Sequence, residues 1–485
     1  MNHRPALLAA ALAALFTLPA VAAVETAPPP PAAPKAVNIP AASESTLANG
    51  LRVIVVHREG LPLVTMDLLL RSGSEVDPTR LPGTASMVAD LLTQGTTSRT
   101  APEIAETAAA LGGSIGAGAG WDRTRVGMTV TTPRAEAALD LLADVVRHPA
   151  FKADEIERVR KRATDGLRVS LRQPAQLASL VAQRAVFGGA GYGHPADGTP
   201  TSVAAITRDD LVALHDTWYR PDNAVLVFAG DITPSAATAL AKRAFGDWAR
   251  PDRAMPQPST ETVAATLPAR LAINLAGSGQ AGVVVGHSAI ARDAADYYSG
   301  VVANMVLGGS YSARMNEEIR IKRGLSYGAR SSLDALRGDG WLATSVQTKN
   351  PSAAEVVSLS LQQIASLATD PPADDELAAR KATLIGTFGR RFDTTAGLAS
   401  AVGELAVDGI ALDEVNHFID KVQAVSATDV ADFARKHLAD KGNRVVVVGD
   451  AGQYGEALKK LWPDVTPIDA DALDLDQADL GLGKK

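Results

Sequence analysis

Short apolar runs of strand type recur along the chain and alternate with stretches that have helical spacing. The clearest apolar runs lie at 51–56, 225–229, 282–285 and 445–448, and their length and β-branched content are typical of buried strands. From Ala135 to Val146, apolar residues recur on one face, which indicates a helix packed on a core. Strands and helices are therefore mixed along the whole chain, and the pattern predicts an α+β fold.

Two segments of the chain repeat each other at a separation of 219 residues. Thr207 and Ser426 each begin a predicted helix, and an acid follows three residues later, at Asp210 and Asp429. Ser or Thr followed by such an acid is typical of a capping box at a helix N-terminus. Each helix leads to an apolar run and a Gly-Asp turn, and the two turns have the same separation of 219. The sequence therefore predicts an internal duplication.

The duplication predicts two homologous domains, each a largely antiparallel sheet covered by helices. Pro251, Pro256 and Pro258 mark a polar linker between them. The predicted segments are a signal peptide at 1–22, a proline-rich tether at 23–44, an N-terminal domain at 45–248, the linker at 249–266, a C-terminal domain at 267–465 and an acidic tail at 466–485.

Composition restricts the classes of partner. With 485 residues, 46% of them hydrophobic, the chain is long enough for at least two cores of roughly 100–200 residues each. Its net charge of -7 provides no basic field for nucleic acid or an anionic membrane. The sequence contains no cysteine, which excludes a disulfide framework and a lipid anchor on cysteine.

The N-terminus has the pattern of a secretory signal peptide. Arg4 precedes the apolar run Ala6–Leu18, and Ala20-Val21-Ala22 is a small-x-small cleavage site. An uncleaved anchor helix is the alternative, but the run is short for a span of about 20 residues, and Pro19 interrupts its end. We therefore expect a periplasmic or otherwise exported protein with no membrane span after cleavage.

The segment Gly83–Thr96 begins with Gly83-Thr84 and ends with Gly95-Thr96, and this frame encloses a predicted helix. Imidazoles at i and i+4 share a helix face and can reach one metal, and a Glu at i+3 can accept a proton from bound water. Here those positions hold Ser86, Asp90 and Ala89, which do not form a three-ligand site. The frame resembles the H-x-x-E-H helix of the pitrilysin/insulinase family, the inverzincins.

The resemblance extends over most of the chain, from about residue 45 to about residue 460. The segments that carry it outside the degenerate helix are 192–199, 206–211, 218–224, 307–310 and 320–328. It implies that the two domains form a clam-like pair. The family's third zinc ligand is a Glu on a later helix, which falls near Asp165-Gly166-Leu167 in this chain. Gly166 and Leu167 have no side chain that can bind a metal. The zinc site of the family is thus incomplete here as well, and the resemblance implies no metal in this chain.

A second constellation of the family is present in the C-terminal half. The resemblance implies that Arg320 and Tyr327, seven positions apart, bind the substrate backbone and stabilise an oxyanion. A guanidinium and a phenol are both donors that can be directed at developing negative charge. Taken without the resemblance, Arg320 would be a solvated helix residue and Tyr327 a half-buried strand residue.

A glycine-rich stretch in the first half is the candidate substrate-binding segment. The residues concerned are Gly113, Ser114, Gly116, Ala117 and Gly118. The resemblance implies an exposed edge strand here, onto which an extended peptide adds, and small residues let its backbone approach closely. A flexible glycine loop beside a sheet edge is the alternative, and both remain open at this point.

Two functions fit these observations. The resemblance to two-chain bacterial members implies a non-zinc subunit that binds a peptide or small unfolded protein and provides Arg320 and Tyr327 to a zinc-bearing homologous chain. A catalytically inactive peptide-binding or assembly protein is the alternative, but it does not explain the retained pair. A different hydrolase has little support, because Ser86 has no G-x-S-x-G context and no nearby His-acid arrangement.

Overall fold

The computed structural model of the protein describes residues 39–189, 191–258 and 267–483. The predicted signal peptide, the tether up to residue 38 and the linker residues 259–266 lie outside these ranges. Within the described ranges, no helix has both the length and the apolar content needed to cross a membrane.

The described residues contain two sheets of six strands. The first sheet has the order β1-β2-β6-β3-β5-β4 and consists of Ser43–Thr46 (β1), Arg52–His57 (β2), Leu63–Leu70 (β3), Gly116–Ala119 (β4), Thr124–Thr131 (β5) and Ala224–Gly230 (β6). The second has the order β12-β7-β11-β8-β10-β9 and consists of Arg270–Asn274 (β7), Ala281–Ser288 (β8), Ser326–Ala335 (β9), Gly340–Thr348 (β10), Arg444–Gly449 (β11) and Thr466–Asp469 (β12).

Helices follow the strands in the same order in both halves. Those of the first half are Thr84–Leu92 (α1), Ala101–Ala110 (α2), Ala135–Arg147 (α3), Ala153–Leu171 (α4), Pro174–Phe187 (α5), Pro200–Ala205 (α6), Arg208–Trp218 (α7) and Pro234–Phe245 (α8). Those of the second half are Tyr297–Leu307 (α9), Arg314–Asn316 (α10), Ala353–Thr369 (α11), Asp374–Arg391 (α12), Thr395–Asp408 (α13), Glu414–Ala424 (α14), Ala427–His437 (α15) and Ala451–Leu461 (α16).

The predicted duplication is visible in the strand pairing and in the helix caps. In each sheet one central pair is parallel, β2 with β6 and β7 with β11, and the strands that continue from it to the far edge pair antiparallel. Capping boxes form at Thr207 before α7 and at Ser426 before α15. The predicted fold class, two homologous α+β domains with largely antiparallel sheets, is confirmed.

Each sheet is covered on one face by a helix that comes from the other half of the chain. Helix α13 packs on the first sheet, with Leu398 and Val402 in one cluster with Ile54 and Val227. Helix α5 packs on the second sheet, and its apolar residues, among them Val181, form a cluster with residues of β8 and β11. Because both faces are buried, the central strands are almost continuously apolar instead of alternating.

Part of the predicted acidic tail belongs to the second domain. Thr466–Asp469 forms β12, which pairs parallel with β7, and Leu475 and Leu480 beyond it are buried. The strand covers the edge of β7, whose backbone groups would otherwise be open to pairing with another chain. The boundary predicted at residue 465 is therefore too early.

A buried polar cluster joins the loop between β9 and β10 to the first domain. The backbone N–H of Arg337 donates to Asp122 Oδ2 at 2.7 Å, and Tyr192 Oη donates to Asp122 Oδ1 at 2.6 Å. A guanidinium nitrogen of Arg337 lies 3.8 Å from Glu75 Oε1. Burial, with the charge of Asp122, raises the pKa of Glu75 to about 8, so that at neutral pH the folded protein favours its protonated form.

Glu75 should make the stability of the fold depend on pH. Its pKa is about 8 in the folded protein and 4.5 in its unperturbed state, so its stabilising contribution is complete below pH 4.5 and is lost as the pH rises towards 8. Glu75→Gln keeps the shape of the protonated acid and removes the titration. Thermal unfolding between pH 5 and 8.5 should show a smaller decrease in Tm for the variant than for the wild type. Parallel Tm curves would contradict this assignment.

Packing of α5 on the second sheet should depend on Gly282. A Cβ at this position would lie 2.6 Å from the backbone of Ala175 at the start of α5, so Gly282→Ala must displace the helix. We expect a loss of about 1–3 kcal/mol in the free energy of unfolding, measured by urea denaturation. Gly279→Ala, where a Cβ meets no atom within 4 Å, is the matched control and should change it by less than about 0.5 kcal/mol. Equal effects would refute the packing argument.

Candidate functional site

Helix α1, which carries the degenerate zinc motif, begins at a residue that has no side chain to cap it. Gly83 precedes the helix in a left-handed conformation with φ 92°. The carboxylate of Asp77 takes the capping role and accepts hydrogen bonds from the N–H groups of Gly83 at 2.6 Å and Ala85 at 2.7 Å. A Cβ at Gly83 would lie 2.7 Å from the carbonyl oxygen of Asp197. The glycine therefore allows the loop at residue 197 to lie directly on the helix end.

The three motif positions on α1 are held by polar or packing contacts that leave no metal site. Ser86 Oγ donates to Asp197 Oδ1 at 3.0 Å, and Asp90 forms an ion pair with Arg162 on α4 at 2.9 Å. Ala89 is fully buried. Ser86, Asp90 and Asp197, but not Ala89, line a cavity of about 400 Å³ between α1 and α4, which we call the first-domain pocket.

The region of the expected third ligand provides no further donor to this pocket. Gly166 and Leu167 line it, whereas the carboxylate of Asp165 does not and pairs with Lys161 at 2.6 Å. The hydrogen bond from Lys161 lowers the pKa of Asp165. Both carboxylates of the pocket, Asp90 and Asp197, are already bound to other side chains, and the described ranges contain no group of three potential metal ligands. A zinc ion, which needs three or four protein ligands, does not fit this site.

The glycine-rich candidate segment contains the outer strand of the first sheet. Gly116–Ala119 forms β4, which pairs antiparallel with β5 and has no strand on its other side within the described residues. A Cβ at Gly116 or Gly118 would meet no atom within 4 Å, whereas one at Gly113 would lie 2.5 Å from the carbonyl oxygen of Thr129. Of the two alternatives, the structure has an edge strand. That peptides bind through Gly113, Ser114, Gly116, Ala117 and Gly118 stays a prediction.

Arg320 and Tyr327 line one cavity of about 270 Å³ in the second domain. Arg320 lies in a π-helical turn, Glu317–Lys322, which continues α10. Such turns are rare in proteins, and those that occur are often at functional sites. Its guanidinium carbon lies 4.7 Å from the ring centroid of Tyr311. Arg320 forms no ion pair with the described part of the chain, and its donors therefore stay available.

A β-bulge directs Tyr327 into solvent. Ala329 pairs with Val346 and Ser326 with Thr348, so two residues of β9, Tyr327 and Gly328, oppose the single residue Gln347. Such a bulge bends its strand and redirects side chains. The Tyr327 side chain is accordingly 93% exposed, where the sequence without the resemblance predicts a half-buried residue.

Residues that sequence reasoning did not select hold this second cavity together. Asn316 Nδ2 donates to the carbonyl of Tyr311 at 2.6 Å, and its Oδ1 accepts from the N–H of Ala329 at 3.2 Å. A Cβ at Gly308 would lie 2.4 Å from the backbone N of Ser331. In the sequence, the Gly308-Gly309 pair is a signal for this close approach. No sequence signal indicates the role of Asn316. The cavity shares no lining residue with the first-domain pocket.

Comparisons with known proteins agree with this architecture. Residues 52–190 match the family described as "Insulinase (Peptidase family M16)", and residues 205–384 match the one described as "Peptidase M16 inactive domain". An uncharacterised zinc protease of Mycobacterium leprae is 26% identical over 88% of this chain and 95% of its own length. Another, of Bacillus subtilis, is 25% identical over 81% and 94%.

Solved structures show the same fold. The crystal structure of a peptidase M16 inactive domain from Pseudomonas fluorescens is 26% identical, with a TM-score of 0.77 over 84% of this chain and 98% of its own. A protease from Helicobacter pylori has a TM-score of 0.78 at 19% identity, over 85% of this chain and all of its own. The two-domain arrangement is thus common to these proteins.

The purified mature chain should bind no stoichiometric zinc. The first-domain pocket offers Ser86 and two engaged carboxylates, so elemental analysis after dialysis should find well below one zinc per chain. Because a bound metal would stabilise the folded state, EDTA should leave the Tm unchanged. One tightly held zinc per chain, or a lower Tm in EDTA, would contradict this account of the pocket.

Proposed function

The chain belongs to the insulinase family, peptidase family M16, and we propose that it is the non-zinc subunit of a two-chain peptidase. Its first-domain pocket lacks the ligands and the general base of the family's H-x-x-E-H helix. The chain therefore acts together with a homologous subunit that carries the zinc. No metal or other cofactor is required in this chain.

The observation that carries the proposal is the condition of the Arg320–Tyr327 cavity. The chain has lost the zinc ligands, yet it keeps an unpaired guanidinium and a phenol that is 93% exposed at the same cavity. A large aromatic side chain with no packing role has little stabilising value in the isolated chain. A substrate held by a partner subunit gives both side chains a role.

These two donors suit the charge that develops when a peptide carbonyl is attacked. A carbonyl oxygen becomes an oxyanion, and the Arg320 guanidinium and the Tyr327 hydroxyl can both donate hydrogen bonds to it or to the neighbouring peptide groups. The π-helical turn and the bulge fix the backbone of each donor, which limits the reorganisation needed on binding. An extended peptide can also add to an exposed edge strand such as β4.

The substrate class and the compartment follow from the same reasoning. Pairing with a strand edge requires an extended backbone, so the substrate is a peptide or a small unfolded protein. The predicted signal peptide at 1–22 supports a periplasmic or otherwise exported complex.

An inactive peptide-binding or assembly protein is the second candidate. The hydrogen bond of Ser86 to Asp197 and the ion pair of Asp90 with Arg162 suit a pocket that performs no chemistry. This candidate leaves the exposed Tyr327 without a role, and we therefore rank it second.

Mixing this protein with its zinc-bearing homologue should produce peptidase activity that neither chain shows alone. Tyr327→Phe removes one hydroxyl donor and should lower kcat by about 100- to 1,000-fold, the scale for losing one oxyanion donor. Arg320→Ala should also raise KM. Fluorogenic peptide hydrolysis measures both effects, and analytical ultracentrifugation shows whether the complex still assembles.

Arg134→Ala is the matched control, since this exposed arginine lies outside the cavities and strands discussed above, and its variant should retain full activity. If the complex forms but both cavity variants leave activity unchanged, the pair is structural. If the complex forms without any activity, the binding-protein candidate replaces the peptidase one.

A further inference from the structure

The second domain has a cavity at the position that corresponds to the first-domain pocket. Helices α4 and α12 are duplicates, and four lining residues of α4 have a lining counterpart on α12 at a separation of 221 residues. The four pairs that line both cavities are Ala163 and Leu384, Gly166 and Thr387, Leu167 and Phe388, and Ser170 and Arg391. Val159 lines only the first cavity. Helix α1 forms the facing wall of the first cavity and α9 that of the second. The same arrangement of helices therefore encloses two cavities that have different side chains.

Aromatic and aliphatic side chains form most of the wall of this second-domain cavity, which we call the aromatic pocket. Its aromatic residues are Tyr297, Tyr298, Phe388 and Phe418, and its volume is about 290 Å³, close to the lower end of the roughly 300–1,000 Å³ found for ligand pockets. The rings of Phe388 and Phe418 stack with their centroids 3.9 Å apart. Such walls suit a small ligand with an apolar body.

Three carboxylates line the aromatic pocket, and each has a cation of its own. The ion pairs are Glu404 with Arg391 at 2.9 Å, Asp408 with Arg123 at 3.7 Å and Glu414 with Lys421 at 2.5 Å. Tyr298 Oη also donates to Glu414 at 2.5 Å. Each carboxylate thus has an ion-pair partner other than Arg292, the other cation that lines the pocket, whose charge acts on Asp408 and Glu414 without forming an ion pair.

The guanidinium of Arg292 lies on the aromatic wall with open donors. Its Cζ is 3.9 Å from the ring centroid of Tyr297, and its side chain forms no ion pair or hydrogen bond with the described part of the chain. Arg292 is half-buried, and no hydrogen-bond acceptor in the described part of the chain replaces the water that its guanidinium loses. A planar guanidinium matches a carboxylate through two parallel hydrogen bonds.

We propose that the aromatic pocket binds a carboxylate with an apolar body, and that Arg292 pairs with the carboxylate group. The ligand is either a free aromatic or aliphatic acid or the C-terminal carboxylate of a peptide with an apolar last residue. This proposal does not depend on the proposed function, because it uses neither Arg320 nor Tyr327 and requires no partner chain.

Calorimetric titration of the full mature chain can test the charge requirement. 3-Phenylpropionate should bind with a Kd of roughly 1 mM or lower, and 3-phenylpropionamide, which has the same shape without the charge, should bind at least about 10-fold more weakly. Comparing N-acetylphenylalanine with its C-terminal amide tests the peptide source. Tighter binding of N-acetylphenylalanine than of phenylpropionate would assign the pocket to peptide C-termini, and the reverse order would assign it to free acids.

Two variants test whether the carboxylate binds in the aromatic pocket, one by removing the charge and the other by filling the cavity. Arg292→Met removes the charge and keeps a long side chain, and it should weaken carboxylate binding by about 10- to 100-fold, the scale of a hydrogen bond to a charged group. Val301→Trp fills the cavity and keeps Arg292, and it should weaken binding by at least about 10-fold. Arg134→Met, an exposed arginine outside the pocket, is the matched control and should bind as the wild type does.

Thermal unfolding without ligand shows whether each variant is folded, and either folded pocket variant is sufficient for the test. The proposal is overturned if no acid binds at about 10 mM, if the amide binds as tightly as the acid, or if a folded pocket variant keeps wild-type affinity.

Discussion

The constraint on which the rest of the structure depends is the exchange of covering helices between the two halves of the chain. Helix α13 covers one face of the first sheet, and α5 covers one face of the second. Separating the domains would expose both apolar faces to water, at a cost of about 25 cal/mol for each Å². We therefore regard the two domains as one rigid block and not as two lobes on a free linker.

This rigidity bears directly on the candidate site. The first-domain pocket and the Arg320–Tyr327 cavity share no lining residue, and a hinge movement that joined them would have to break the helix exchange. The proposed function therefore requires a second chain to complete a catalytic site with Arg320 and Tyr327. The π-helical turn and the bulge at Tyr327 also fix the backbone positions of the two donors in this cavity.

Local signals in the sequence were sufficient for the repeated elements and insufficient for the contacts between distant segments. The capping boxes at Thr207 and Ser426 and the apolar central strands could be predicted because their causes lie within a few residues. Strand β12 could not, since Thr466-Pro467-Ile468-Asp469 has the composition of a tail. Proline is tolerated in a strand at a sheet edge, and the buried partner β7 decides the conformation.

The same distinction applies to the candidate site. Loss of the zinc ligands could be predicted from residue types alone, but the contacts that replaced them join residues far apart in the chain, such as Asp90 with Arg162 and Ser86 with Asp197. Exposure of Tyr327 depends on a bulge whose partner strand begins 13 residues later.

Duplication explains how one arrangement of helices can enclose two different cavities. Equivalent positions on α4 and α12 carry Gly166 and Thr387, and Leu167 and Phe388, so the backbone is repeated while the chemistry is not. Small residues leave the first-domain pocket open and polar, and larger ones turn its counterpart into an aromatic pocket. The fold fixes where a cavity lies, and the side chains on its walls decide what it can bind. Loss of the metal site in one domain therefore places no restriction on what the equivalent cavity of the other domain binds.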